Sequence, residues 1–263
     1  MNKFKGIFIP VLVICLWELL VRVEFFPPAL SAAPTSIFIK LLKLTEDGTI
    51  LRHSFFSLIR IIGGVAIGSL IGILVGLVLS QIKKIDNYFS PFLTFLAPIP
   101  IVVWIPFAIM FFGTSELFKI SLSALVAFFI IYLNIYQTLK TIDWQYIELS
   151  MIYEKSSYRK FKDILLPYAL PSILTSLRLT VALSWVIIFF VEYGTAERGS
   201  EGLGWFISDA RAIGRIDDQF AGVIVLAILG FVADRLLSNF QKSMIAWKNI
   251  QYDQSSVRPF LWR

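Results

Sequence analysis

The 263 residues are 57% hydrophobic and only 16% charged, and the formal net charge is +6. Soluble domains are about 45–50% apolar and about 25% charged, so the composition excludes an ordinary soluble fold and favours a polytopic membrane protein. The positive charge fits the Lys and Arg of cytoplasmic loops better than nucleic-acid binding. One cysteine (Cys15) and one histidine (His53) exclude an intrachain disulfide and argue against a metal site built on these side chains.

Six apolar segments have the length of a membrane-spanning helix, which needs roughly 20 mostly apolar residues. The first segment follows a short basic start, as in a signal peptide. No small-residue cleavage site follows closely, so an uncleaved span is expected. The sequence predicts a single all-α transmembrane domain over residues 1–263, with spans at about 7–23, 55–79, 88–112, 117–139, 168–193 and 220–245.

The segment between the first two spans, residues 28–52, is predicted to lie on the membrane surface. Prolines interrupt any helix at its start. Thr35 is then placed to cap a short amphipathic helix, SIFIKLLKL. A loop that contains Lys83 and Lys84 is expected after the second span.

The second span carries glycines four residues apart, which places them in one stripe on a helix. In lipid, such a stripe lets another helix approach closely. The sequence therefore predicts a packing seam at Gly64, Gly68, Gly72 and Gly76.

The third span is interrupted by prolines, each of which removes a backbone donor and can kink a helix. Broken backbone at membrane depth is tolerated where it is buried in protein or lines a cavity. The segment is therefore expected to line a translocation pathway, with a kinked packing helix as the alternative. Its candidate pathway residues are Pro98, Pro100 and Trp104.

Charges inside spans are expensive and mark candidate functional sites. Arg60, Arg178 and Glu192 are the clearest cases. Arg178 lies near Ser184 along the fifth span, and this face is a candidate anion site. The alternatives are that Arg178 snorkels to the cytoplasmic interface or pairs with a carboxylate. Ser184 is also a candidate pathway residue, with core packing as the alternative.

Three further charges, Glu18, Asp234 and Arg235, are expected to be interfacial or paired rather than functional. Clustered His, Asp or Ser side chains inside the spans would indicate a membrane-embedded enzyme. The sequence offers one histidine and no paired intramembrane carboxylates, so no catalytic, cofactor-binding or metal-binding residue is predicted.

One hydrophilic stretch, residues 141–167, interrupts this apolar pattern between the fourth and fifth spans. Asp143 is placed to cap a helix that begins near Trp144. Such a helix fits a groove on a soluble partner, and a helix packed on its own protein is the alternative. Residues three or four apart share a helix face, and one face here consists of Tyr146, Leu149, Ser150 and Tyr153.

Lys and Arg are roughly twice as frequent on the side that holds this stretch and both termini, which predicts that this side is cytoplasmic. The chain shows no convincing internal repeat, which argues against many secondary carriers. An ATP-independent carrier or channel remains the main alternative function, because it would explain the spans and the broken third segment.

Several motifs carry a resemblance to a known family. The hydrophilic stretch contains Glu148-Leu149-Ser150 and ends at Leu166-Pro167. Other motifs are His53 with Ser57-Leu58-Ile59-Arg60, Pro98-Ile99-Pro100, Trp104-Ile105-Pro106, Phe112-Gly113, Glu192, and Gly202-Leu203-Gly204. With these motifs the chain resembles, over nearly its whole length, the permease subunit of bacterial ABC importers, in the subfamily that serves sulfonates, taurine, nitrate or bicarbonate.

The chain departs from that family pattern at two places. Leu149 and Ser150 stand where the family has paired alanines, and Glu154 stands where it has a glycine. A non-glycine residue in a left-handed turn costs about 1–2 kcal/mol. Either the first helix continues through Glu154 or the turn is strained, which bears on the fit to an ATPase.

The resemblance implies a type I ABC importer permease of six helices in the bacterial inner membrane, with both termini cytoplasmic. It implies an ATP-binding subunit, a solute-binding protein and a second permease copy as partners. The chain has no Gly-x-x-x-x-Gly-Lys-Ser/Thr motif, so ATP and magnesium are expected on the ATP-binding subunit and this chain is not an enzyme. The implied coupling residues are Glu148, Leu149, Ser150, Tyr153, Glu154, Leu166 and Pro167.

Overall fold

The computed structural model describes residues 3–27, 31–142, 148, 157–195 and 200–245. Across these ranges the chain is helical and contains no strand, which confirms the all-α class. The helices of eight or more residues are α1 (Lys3–Arg22), α2 (Pro34–Glu46), α3 (Thr49–Gln81), α4 (Lys83–Leu96), α5 (Ile105–Phe112), α6 (Glu116–Lys140), α7 (Leu166–Gly194), α8 (Leu203–Ala212) and α9 (Ile216–Met244).

Four helical segments in the described ranges are long and apolar enough to cross a membrane: α3, α6, Phe161–Gly194 (which contains α7) and α9. The pair Lys83–Leu96 and Ile101–Phe112 makes a fifth if it is one broken span. Helix α1 is 20 residues long, which is also the length of a span. The six predicted spans thus correspond to α1, α3, the α4–α5 pair, α6, α7 and α9.

The chain divides into two compact units, and each of the helices α3, α6, α7 and α9 contributes to both. Unit 1 consists of Met1–Gly64, Ile101–Ser123 and Ser184–Gly230. Unit 2 consists of Val65–Pro100, Ala124–Leu183 and Phe231–Arg263.

The glycine stripe of α3 packs against α6, as the spacing predicts. In unit 1, a Cβ on Gly64 would lie 2.8 Å from the carbonyl oxygen of Ile120. In unit 2, a Cβ on Gly72 would lie 2.9 Å from the carbonyl oxygen of Phe128. Real Cβ atoms do not approach backbone this closely, so the helices can pack at this separation only with glycine at these positions.

The core of unit 2 joins α6 to the start of α7. Leu165, which precedes α7, and Ala169 are buried in one cluster with Ile131, Ile135 and Leu139 of α6. A π-helical turn, Phe161–Leu165, leads into α7. The end of the predicted hydrophilic stretch is therefore fixed to the body by apolar burial.

The third predicted span is broken, as its prolines predict. Pro98 and Pro100 lie between the end of α4 and a 3₁₀ turn over Ile101–Trp104. Pro106 lies in the first turn of α5, where a missing backbone N–H has no cost. The loop expected around Lys83 and Lys84 was wrong, because these residues begin α4, whose apolar residues share one face.

The surface segment forms α2, but the predicted cap was wrong. Ala33 occupies the N-cap position of α2, and its own side chain supplies no capping hydrogen bond. Thr35 lies inside the helix and bonds to Glu18 of α1 through its hydroxyl (2.8 Å) and its backbone N–H (3.1 Å). Glu18 also pairs with Arg22 at 2.6 Å, which agrees with the expectation that it is paired.

Candidate functional site

A buried polar cluster in unit 1 gathers several of the charges and motifs that the sequence singles out. It is called the Arg60 cluster below. Its members are His53, Ser57 and Arg60 from α3, Glu116 from α6, Glu192 from α7, and the segment Glu201–Gly204 that leads into α8.

Arg60 is 2% exposed, and its guanidinium donates four hydrogen bonds within the described chain. Its Nε and Nη2 donate to the two carboxylate oxygens of Glu116 at 2.6 and 2.7 Å. Its Nη1 donates to Glu192 at 2.6 Å and to the backbone carbonyl of Glu201 at 2.5 Å. A guanidinium in this geometry has little capacity left to bind a further anion.

The charges of the Arg60 cluster balance. Arg60 faces two carboxylates, and Lys119 supplies a second cation through its 3.0 Å contact with Glu116. Two cations and two carboxylates cancel, and the carboxylate of Glu201 pairs separately with Arg52. Charge balance of this kind is what burial inside a membrane-spanning helix requires. The sequence marked Arg60 and Glu192 separately, and the structure brings them together as one ion pair.

The Arg60 cluster also caps the N-terminus of α8. The first backbone N–H groups of a helix have no partner within it. Here three successive N–H groups donate to side chains from other helices: Gly202 to Nδ1 of His53 (3.1 Å), Leu203 to Oγ of Ser57 (2.9 Å) and Gly204 to Oε2 of Glu192 (2.9 Å). Helix α8 (Leu203–Ala212) is thus held at its start by side chains of α3 and α7.

Glycine is required at the centre of this cap. Gly202 has φ +128°, a conformation that L side chains rarely adopt. A Cβ there would also lie 2.5 Å from Nη1 of Arg60. The segment can therefore cover the ion pair only because residue 202 has no side chain.

The spacing of His53, Ser57 and Arg60 is the signal that could have predicted this cluster. Residues at i, i+4 and i+7 lie on one face of a helix. All three side chains are buried although they are polar, so their partners had to come from other elements. The family motif contains these residues, but it does not reveal which side chains and backbone groups they bind.

A second ion pair lies in unit 2 between α7 and α9. Arg178 binds Asp234 in a bidentate pair through one edge of its guanidinium, with Nη2 to Oδ2 at 2.7 Å and Nε to Oδ1 as the second bond. The two side chains are 43% and 42% exposed. Beside them, Gln241 donates to the hydroxyl of Thr175 at 2.9 Å. Pairing with a carboxylate is one of the alternatives that the sequence left open for Arg178, and Asp234 was expected to be interfacial or paired.

The remaining candidate pathway residues have different environments. Pro98 and Pro100 are exposed at the break in the third span. Ser184 is fully buried in unit 1, and its Oγ has no hydrogen-bond partner in the described chain. The indole Nε1 of Trp104 is also buried without a partner there. Buried hydroxyl and indole donors normally find a partner, so both remain candidates for contact with water or solute.

The coupling residues are only partly described. Glu148 is helical and exposed. Leu166 is half-buried and Pro167 is exposed, and together they begin α7. The predicted cap Asp143 and the coupling residues Leu149, Ser150, Tyr153 and Glu154 lie outside the described residues. Leu165 is not among the predicted coupling residues, but it supplies the buried anchor beside Leu166.

Several membrane-length helices with charge-balanced polar groups inside them define a polytopic membrane protein with an internal polar framework. A family model described as "Binding-protein-dependent transport system inner membrane component" matches residues 49–246, and the chain belongs to this family. It is a transmembrane permease subunit of an ABC importer, and association with an ATP-binding subunit follows from that class.

Relatives of known name cover nearly the whole chain. SsuC of Bacillus subtilis, whose name assigns it to aliphatic sulfonate transport, is 27% identical over 93% of this chain and 88% of its own length. The taurine transport permease TauC of Escherichia coli is 26% identical over 88% of this chain and 85% of its own length. The formylaminopyrimidine transport permease ThiX of Halalkalibacterium halodurans is 27% identical over 90% of this chain and 92% of its own length.

The fold is that of type I ABC importer permeases. A chain of the inward-facing MetNI methionine ABC transporter matches with a TM-score of 0.62 and 21% identity, over 74% of this chain and 95% of that chain. A chain of an amino acid ABC transporter solved with histidines matches with a TM-score of 0.57 and 19% identity, over 79% of this chain and 96% of that chain.

Proposed function

We propose that this permease imports a small anion of the sulfonate, taurine, nitrate or bicarbonate class, and that a solute-binding protein delivers it. The observation that carries the proposal is the near full-length relatedness to permeases named for sulfonate and taurine transport. A bicarbonate transport permease, CmpB of Synechococcus elongatus, is also 28% identical over 74% of this chain. Since ThiX is named for a heterocycle, the substrate test has to include uncharged solutes.

ATP and magnesium are bound by the ATP-binding subunit in this proposal, and the permease itself holds no cofactor. The sequence contains no phosphate-binding glycine loop, which supports the assignment of ATP binding to the other subunit. Two permease copies, identical or related, enclose the pathway. The test is ATP-driven uptake by the complex reconstituted with its ATP-binding subunit, compared with the permease alone. Uptake by the permease without the ATPase would favour an ATP-independent carrier and overturn this proposal.

The coupling surface is assigned to residues 141–167. Closure of the ATP-binding subunit on ATP would displace this surface and tilt the spans that follow it. The exposed carboxylate of Glu148 and the Leu165 anchor, which ties the end of the stretch to α6, support the assignment.

Glu148→Arg should abolish association with the ATP-binding subunit, because it reverses the exposed charge while leaving the buried anchor intact. The measurement is the amount of ATP-binding subunit that co-purifies with the permease. Lys162→Glu, an exposed charge reversal on the same stretch, is the control that should retain association. Normal assembly and uptake in Glu148→Arg would contradict the assignment.

Both termini and residues 141–167 face the cytoplasm in this proposal, in the inner membrane that the family description names. The Lys and Arg distribution supports this orientation. The chain is suited to a direct test, since its one cysteine, Cys15, can be replaced by serine. A single cysteine at exposed Glu148 should then react with an impermeant thiol reagent only after the membrane is opened, and one at exposed Arg211 should react in intact cells. The reverse pattern would invert the orientation.

A further inference from the structure

His53, the only histidine of the chain, holds the backbone of Gly202 through its Nδ1 atom at 3.1 Å. A backbone N–H can only donate, so Nδ1 has to accept. The ring is therefore neutral in this arrangement and carries its proton on Nε2. A second proton would turn Nδ1 into a donor that faces another donor, and the hydrogen bond could not persist.

The ring of His53 is fixed in this position by its neighbours. It is 8% exposed and stacks on Trp205, with centroids 5.4 Å apart and an interplanar angle of 25°. Phe206 lies 5.3 Å away on the same helix, α8. Because both aromatic residues follow Gly202 in the chain, rotation of the imidazole away from Gly202 would disturb the start of α8.

The charges around His53 are already paired with one another. On its own helix, Arg52 pairs with Glu201 and Arg60 pairs with Glu116 and Glu192. On α8, Asp209 lies 3.9 Å from Arg215. The ring also faces the N-terminus of α8, whose partial positive charge disfavours a cation. Within the described residues, an added proton at His53 would thus meet no carboxylate free to compensate it.

We propose that His53 is a proton-sensitive latch that holds Gly202 when neutral and releases it when protonated. The bonds from Leu203 to Ser57 and from Gly204 to Glu192 remain, so release opens the start of the α8 cap without detaching the helix. The latch does not depend on the proposed substrate. In the proposed orientation it lies at the external face of the membrane, where it responds to the pH of the external medium.

Two substitutions test separately the hydrogen-bond acceptor that His53 offers to Gly202 and the ability of His53 to take up a proton. His53→Asn places an amide oxygen where Nδ1 lies and cannot titrate in this range. His53→Gln places the amide one bond further out, near Nε2, and removes the acceptor from Gly202. Both remove the aromatic ring, so each controls for the lost stacking in the other.

The experiment is hydrogen exchange at Gly202–Gly204 in the full chain in lipid nanodiscs, at pH 7.5 and pH 5.5, corrected for the intrinsic exchange rates. Protection of Gly202 should fall about tenfold on acidification in the wild type, the factor that one hydrogen bond of ordinary net strength supplies. His53→Asn should stay protected at both pH values, and His53→Gln should be unprotected at both. An equal fall in wild type and His53→Asn would overturn the proposal.

Nitrogen NMR measures the protonation state of the His53 ring directly and is a second test that needs no substitution. Since the chain has one histidine, a ¹⁵N-histidine label reports on this ring alone. The neutral form protonated on Nε2 is expected at pH 7.5, with conversion to the doubly protonated form on acidification. A ring protonated on Nδ1 at pH 7.5, or one that stays neutral at pH 5.5, would also overturn the proposal.

Discussion

Two ion pairs of this permease lie within membrane-spanning helices, and they differ in how much the protein covers them. Arg60 and Glu192 in unit 1 are each 2% exposed, and the four hydrogen bonds that Arg60 makes within the described chain end on carboxylates or on the backbone. Arg178 and Asp234 in unit 2 have the same chemistry but are more than two-fifths exposed. The first pair acts as an internal framework for α8, and the second is open on one side.

The largest expected effect is that of Arg60→Met, which leaves the buried carboxylate of Glu192 without its cation. Breaking a buried pair by removing one partner costs about 3–5 kcal/mol. The measurement is thermal unfolding of the purified permease in detergent. The double variant Arg60→Met with Glu192→Gln should recover part of the loss, since the uncompensated charge is gone. Wild-type stability in Arg60→Met would show that the cluster is not a framework.

Gly202→Ala should come next, because it adds an overlap with Arg60 to an unfavourable backbone conformation. A side chain in such a conformation costs about 1–3 kcal/mol, and the overlap adds to this. Gly214→Ala is the matched control, since Gly214 also has a positive φ (+74°) but a Cβ there meets nothing within 4 Å. Equal losses of stability in the two variants would contradict the proposal that residue 202 must lack a side chain in order to cover the ion pair.

Arg178→Ala should reduce uptake by about tenfold or more, the effect of one lost charge-assisted hydrogen bond to an anion. Assembly and melting temperature should change little, because the pair is half-exposed. Asp234→Ala and the double variant separate two explanations for the loss. If Arg178 serves the anion, the double variant stays impaired; if the pair only balances charge, uptake returns in the double variant.

The smallest expected effects compare two hydroxyl groups beside the two pairs. Thr175→Val removes an exposed hydrogen bond from Gln241 and should cost about 0.5–1 kcal/mol. Ser57→Ala removes a buried hydroxyl that accepts from Leu203 and donates to Glu192, and should cost about 1–3 kcal/mol. Equal unfolding temperatures for the two variants would contradict the contrast between a covered and an open pair.

The long apolar helices could be predicted from the sequence. The partners of their polar and charged side chains could not. The fourth span was predicted at residues 117–139 and observed at Glu116–Lys140, because its apolar run ends in charges at both ends. Lys83 and Lys84 were mistaken for a loop, since the amphipathic turn that follows them is too short for a span pattern. Thr35 was mistaken for a cap because its partner, Glu18, lies 17 residues away in the chain.

The candidate site shows the same limit. Arg60, Arg178 and Glu192 were found because charges inside spans are rare. Which cation meets which carboxylate depends on how α3, α6, α7 and α9 pack, and no local pattern encodes that. Two of the three bonds that cap α8 join residues more than 140 positions apart, so they could be seen only in three dimensions.

The glycine stripe of α3 has a consequence for how this protein can evolve. A methyl group at Gly68 would overlap the carbonyl of Ala124, and one at Gly72 would lie 2.9 Å from that of Phe128. At Gly76 the nearest atoms are Cβ and Cγ2 of Ile135, both at 3.1 Å, so the overlap there is smaller. Tolerance of substitution should therefore rise along the helix from Gly68 to Gly76, while the exposed apolar residues on the opposite face drift freely among Leu, Ile, Val and Phe. Selection on this helix is therefore expected to keep glycine at Gly68 and Gly72, where no side chain fits.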